Sequence, residues 1–167
     1  MKKTLIILFV FITIAGCKNP FAPALDESET TGSAISDLTK IEGVFQNLQY
    51  AYTFRDTAIY GQTLGSDFLF SYRDYDLSFD VSWGREEEMK VTNGLFQNAE
   101  RLDLIWNNIV ASTEDSSEAN IVRSFNLMIT FNPTDIVRVD GRVNLNLQRE
   151  TTSGKWKVIR WIDESNF

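Results

Sequence analysis

Ile41, Val44, Phe45, Leu48, Ala51 and Tyr52 recur at helical spacing. A stripe of that period predicts an amphipathic helix with one face on a core. Ser36 or Asp37 is placed to cap its start, and its end is expected near Arg55-Asp56. A short second helix is predicted over 57–64, with Gly65 as its terminating glycine. The period then changes to two. Residues 67–72, rich in aromatic side chains, and the alternation Leu77-Phe79-Val81-Trp83 predict two strands. After Gly84-Arg85, the acidic run Glu86-Glu87-Glu88 suits the first turn of a third helix. Met89, Leu95 and Phe96 are its expected buried positions, and Gly94 weakens it.

Four longer strands are predicted beyond this point, over 101–112, 120–132, 135–149 and 155–163. The segments between them carry turn chemistry: Glu114-Asp115-Ser116-Ser117, Asn132-Pro133 and Ser153-Gly154. The third is the clearest. Val137, Val139, Val143, Leu145 and Leu147 point one way, and Arg138, Asp140, Arg142, Asn144, Asn146 and Gln148 the other. One buried and one wet face is the mark of an antiparallel sheet. Gly141 in mid-strand predicts a bulge or bend. Helices first and a long meander after predict an α+β domain, its helices packed on one face of a curved, mostly antiparallel sheet of four to six strands.

The amino terminus follows a different pattern. Met1-Lys2-Lys3, an apolar run from Leu5 to Ile14 and Ala15-Gly16-Cys17 are the three parts of a secretory signal. Ile14-Ala15-Gly16-Cys17 resembles a bacterial lipobox. The resemblance implies cleavage before Cys17, a diacylglyceryl group on its thiol and an acylated new amino terminus, with palmitate-type chains. A buried chain contributes about 0.8 kcal/mol per CH₂, so several chains together would anchor a protein firmly. The run itself is short for a span of about 30 Å. The expected organisation is a signal peptide over 1–16, the lipidated cysteine and a Pro/Ser/Thr/acidic tether over 17–35, and one domain over 36–167. The expected location is the bacterial cell envelope, outside the cytoplasm.

Composition narrows the chemistry. The chain has 16 basic and 23 acidic residues, and loss of Lys2 and Lys3 with the signal leaves a net charge of −9. Nucleic-acid binders carry basic patches, so nucleic acid is not an expected partner. Cys17 is the sole cysteine and histidine is absent. Once Cys17 is acylated, no disulfide, thiolate nucleophile or thiolate metal ligand remains. The missing imidazole removes the usual general base near neutral pH and the usual zinc ligand. Glu86-Glu87-Glu88 lacks calcium-loop spacing, so a helix start explains it more simply. No metal and no cofactor is expected.

The order of several short motifs carries a resemblance. They are Phe45-Gln46-Asn47-Leu48-Gln49-Tyr50-Ala51-Tyr52, Arg55-Asp56, Tyr60, Asp67-Phe68-Leu69-Phe70, Trp83, Glu88, Leu95-Phe96 and Trp156-Lys157-Val158-Ile159-Arg160-Trp161-Ile162-Asp163. Over residues 37–163 this order resembles the NTF2-like (cystatin-like α+β) superfamily, in particular small bacterial lipoproteins with such a domain. The resemblance implies a cone-shaped half-barrel closed on one side by helices. Some members bind a small apolar molecule in the cone; others perform acid–base chemistry there. Many dimerise through the outer sheet face.

Candidate residues fall into three groups. An aromatic set could line a pocket: Tyr52, Phe70, Trp83, Trp106 and Trp161 foremost, with Phe68 and Trp156. Core packing is the simpler reading for most of them, and in a regular strand Trp156 and Trp161 face opposite sides. Without histidine, an enzyme would need a buried carboxylate as base and a tyrosine as donor. Asp67, Asp76, Asp80 and Asp103, with Tyr60, Tyr72 and Tyr75, are the candidates. Asp80 and Asp103 alternate with apolar neighbours and are expected on the wet face, so no catalytic residue is assigned. Arg138, Arg142 and Arg160 on the polar sheet face could receive an acidic partner or carry cross-strand pairs to Asp140 or Asp163. Three readings stay open: a non-catalytic domain binding a protein or small apolar ligand, a cofactor-free isomerase or dehydratase, and a structural spacer with a filled cone.

Overall fold

The computed structural model describes residues 35–76 and 78–165. The signal over 1–16, Cys17, the tether up to residue 34, and Leu77 lie outside the described residues.

The chain runs α1 (Ile41–Phe54), α2 (Thr57–Thr63), β1 (Leu64–Asp74), β2 (Phe79–Gly84), α3 (Arg85–Asn98), β3 (Arg101–Glu114), β4 (Glu118–Asn132), β5 (Asp135–Gln148) and β6 (Lys157–Asp163). All six strands form one sheet in the order β2-β1-β6-β5-β4-β3. Every pairing is antiparallel except β1 with β6. This α+β architecture, three helices on a curved six-stranded sheet, is the expected class.

Helix α1 forms because its apolar stripe meets the sheet. Val44, Phe45, Leu48 and Ala51 are fully buried. It starts three residues later than an Asp37 cap predicts, because the Asp37 carboxylate caps a turn instead, accepting from the Thr39 amide at 2.9 Å. Segment 36–40 folds back on α1, where buried Asn47 bonds both the amide and the carbonyl of Ser36. Arg55 ends α1 in the left-handed region (φ 55°). Asp56 then caps α2 through the Ala58 and Ile59 amides, each at 2.9 Å. Gly65 does not terminate that helix. It is a buried residue of β1, and a Cβ there would meet Ile159 Cγ2 at 3.2 Å.

Two further expectations change. Gly141 makes no bulge: its pairing with Phe125 runs in unbroken register with both neighbours. It is glycine because the chain after β6 crosses over it, and a Cβ would lie 2.4 Å from Ser165 Cα. Strand β6 is irregular instead. Asn146 pairs with Arg160 but Leu147 with Val158, so Ile159 is an extra residue. Trp156, Val158 and Trp161 are therefore all buried. Trp156 packs in the core beside Leu38, donating its backbone N–H to the Leu38 carbonyl at 2.8 Å, with the Arg149 guanidinium 4.2 Å above its ring. The core runs from Leu38 to Trp161 and lies within the compact unit Ser33–Phe167.

Candidate ligand-binding site

The inner face of the sheet and the three helices enclose an open cavity of about 580 Å³. Its wall is built in rows by strand register. Trp83, Phe70 and Trp161 are direct cross-strand neighbours on β2, β1 and β6. Phe70 stacks on Trp83 at 4.5 Å and lies 6.3 Å from Trp161. The next row holds Val81, Tyr72, Asp163 and Val143. Phe125, Leu127 and Val139 continue the wall as apolar surface. Trp106 joins from β3, its indole N–H fixed on the Phe45 carbonyl at 2.8 Å. Tyr75 and Asp76, from the turn between β1 and β2, also line the cavity, with Tyr75 well exposed.

One wall is polar and built around Glu88 of α3. Its side chain is buried, and it accepts three hydrogen bonds: Tyr60 hydroxyl at 2.5 Å, Trp83 Nε1 at 2.6 Å and Thr92 hydroxyl at 3.0 Å. A buried carboxylate is costly unless its oxygens are satisfied. These donors come from α2, β2 and α3, so the satisfied carboxylate also ties three elements together. The Glu88-Thr92-Phe96 stripe, at four-residue spacing, is the buried face of α3. Met89 and Leu95 are only half-buried.

Beside it stand groups whose polar atoms are less well satisfied. Burial pushes the Asp163 carboxyl above its ordinary value, although the Ser165 amide donates to it at 2.9 Å. Burial pushes the phenols of Tyr52 and Tyr60 up as well, and the negative charge of Glu88 adds to both. Asp163 acts on Tyr52 in the same sense. Among the described residues, Trp161 Nε1 and Ser165 Oγ are buried without a hydrogen-bond partner. The Ser165 hydroxyl lies close enough to the Asp163 carboxyl to oppose the effect of burial on it. A buried polar group left unpaired costs about 1–3 kcal/mol, and native structures hold few of them.

No protein-family model matches the sequence, and no curated protein does. Solved structures do match in three dimensions. A "putative dehydratase from the NTF2-like family" of Streptomyces avermitilis has a TM-score of 0.60 at 14% identity, covering 78% of this chain and 96% of that one. An NTF2-like protein of unknown function from Shewanella baltica scores 0.55 at 15% identity, over 76% and 91% of the two chains. A conserved protein from Planctomyces limnophilus scores 0.66 at 13% identity, over 75% and 93%. The chain has the NTF2-like fold.

The NTF2-like cone gathers some of the sequence candidates and disperses others. Tyr52, Phe70, Trp83, Trp106 and Trp161 all line the cavity, whereas Trp156 and Phe68 are core. Of the carboxylates, Asp67 is exposed, and Asp80 is exposed and pairs with Arg73 at 3.0 Å. Asp103 pairs with Arg101 at 2.8 Å, its other oxygen buried without a partner. Asp76 reaches the cavity from the β1–β2 turn. Tyr60 serves Glu88, and Tyr72 and Tyr75 line the cavity. The carboxylates set deepest in the cone wall are Glu88 and Asp163, which the sequence pattern assigned to a helix start and to surface pairing. The four-residue spacing of Glu88, Thr92 and Phe96 was the available signal for the first. For Asp163 none existed, because the extra residue at Ile159 sets its face. Arg138, Arg142 and Arg160 do not converge. The first two stand four residues apart on β5, about 13 Å, and Arg160 pairs with Asn146, four residues further on. Arg142 already faces Glu164 at 3.7 Å.

Among the described residues no helix is long and apolar enough to cross a membrane, and no acidic cluster could hold a metal ion.

Proposed function

We propose that this is a lipid-anchored protein of the bacterial envelope whose NTF2-like cone binds a small, largely apolar molecule without transforming it. The observation that carries the reading is the open aromatic cavity. Its volume of about 580 Å³ falls among small-molecule sites, which run about 300–1,000 Å³. Stacked Phe70 and Trp83, with Trp161 and Trp106, offer flat apolar faces to a ring. A spacer with a filled cone has no use for that volume. The anchor rests on the lipobox-like Ile14-Ala15-Gly16-Cys17.

The neutral dye N-phenyl-1-naphthylamine tests the binding. It brightens saturably in an apolar site. Residues 18–167 are expected to enhance it with a one-to-one midpoint, and Leu127→Trp, which fills the cavity wall, to abolish the enhancement while the chain stays folded. Unsaturable or variant-independent enhancement rejects the reading.

A second reading rests on Asp163 and Tyr52. A carboxyl raised by burial, near a phenol that keeps its proton, is the pair that cofactor-free proton transfer needs. It supports an isomerase or dehydratase. Loss of turnover on a bound compound in Asp163→Asn, with binding retained, would select it over simple binding.

A further inference from the structure

Two polar side chains in the cavity wall have no hydrogen-bond partner among the described residues. Trp161 and Ser165 are each only 7% exposed. Both line the cavity, and Trp161 Nε1 and Ser165 Oγ make no hydrogen bond. An indole N–H donates and never accepts. Its counterpart must therefore be an acceptor, and it must enter through the cavity.

The surrounding wall fixes these atoms. Trp161 is set between Phe70 and Leu145 by register on both sides. Ser165 is held by the crossing over Gly141, by the Glu164 amide on the Arg142 carbonyl at 2.9 Å, and by its own amide on Asp163. The two open donors are thus built into rigid backbone on either side of the Asp163 carboxyl.

Charge limits what can enter. Among the described residues of the lining, Glu88, Asp163 and Asp76 carry negative charge, and the one cation, Arg73, is engaged with Asp80. A carboxylate or phosphate placed on Trp161 would stand two residues from Asp163 in a net-negative site. A neutral acceptor has no such penalty.

We propose that the cone selects neutral, mostly apolar carbonyl compounds, the carbonyl oxygen accepting from Trp161 Nε1 and from the Ser165 hydroxyl while the ring system lies against Phe70 and Trp83. This rests on the cavity being a binding site. It adds the ligand's chemical class and the atoms that read it.

Three probes of one skeleton test it: 2-acetylnaphthalene, 2-ethylnaphthalene and 2-naphthoate. Each is titrated into residues 18–167 carrying ¹⁵N-labelled tryptophan. The indole N–H of Trp161, assigned through Trp161→Phe, should move downfield with the ketone and stay near its free position with the hydrocarbon. The ketone should bind about tenfold more tightly than the hydrocarbon, about 1.4 kcal/mol, with the carboxylate weakest. Trp161→Phe should erase the ketone's advantage and leave hydrocarbon binding in place. Ser165→Ala, which leaves the core untouched, should reduce it in part. Equal binding of ketone and hydrocarbon, or an unmoved Trp161 signal, overturns the carbonyl inference while the cavity reading stands. If none of the three binds, both fall.

Discussion

At the scale of single residues, the cone spends stability to keep polar groups in its wall. Asp163 shows this through pH. Its carboxyl is raised by burial above the ordinary value of 3.8, so the folded chain holds that proton more tightly than the unfolded chain. Stability from this group is therefore fully present below 3.8 and is lost as pH rises through the folded value. Asp163→Asn should raise the melting temperature at pH 7 and flatten the fall in stability above pH 4. Urea unfolding across pH 4–7 measures both. A variant less stable than wild type at pH 7 would mean that the carboxylate is satisfied by a partner. Trp161 and Ser165 fit the same pattern. Their unpaired atoms make sense for a site completed by a ligand and poor sense for a core.

At the scale of elements, Glu88 couples the helices to the sheet. Tyr60 of α2 and Trp83 of β2 both end on its carboxylate. Glu88→Leu should lower unfolding free energy by about 2–4 kcal/mol, since several buried donors lose their acceptor. Glu88→Gln should cost about 1 kcal/mol, because the amide oxygen still accepts from Trp83 and the Tyr60 hydroxyl can turn to accept from the amide nitrogen. Denaturant unfolding compares the two, and equal losses would contradict this account of the link. The same elements show how far the sequence can be read. Strand β5 is legible because its alternation follows simple burial. The α1 stripe is legible for the same reason. Glu88 was hidden because an acidic residue in a first helical turn has a sufficient local explanation. The inner-face placement of Trp161 and Asp163 was hidden because one extra residue, Ile159, reverses the phase of β6, and no turn residue marks it. Gly141 announced a constraint, but its cause is the chain crossing from Ser165, a contact remote in sequence.

At the scale of the whole molecule, element order and periodicity carried the architecture. A long helix, a short helix, a strand pair, a third helix and a meander can bury their apolar faces together in few ways. The fold alone leaves the function open, since sites and not folds carry chemistry. The proposed envelope location rests on the lipobox-like sequence ending at Cys17: Cys17→Ala should move the protein from the membrane fraction to the soluble one, and continued membrane retention would contradict lipid anchoring. The acidic balance, net −7 for the full chain, would suit the proposed anchoring, in which a domain on a tether stands off an anionic bilayer. The central claim is that the cone is a vessel for a small neutral molecule. Native mass spectrometry of residues 18–167, prepared without detergent and then given excess 2-acetylnaphthalene, tests it most directly. A one-to-one adduct is expected, or a co-purifying molecule that the ketone displaces, with loss of either in Leu127→Trp. A bare protein mass at saturating probe would contradict it.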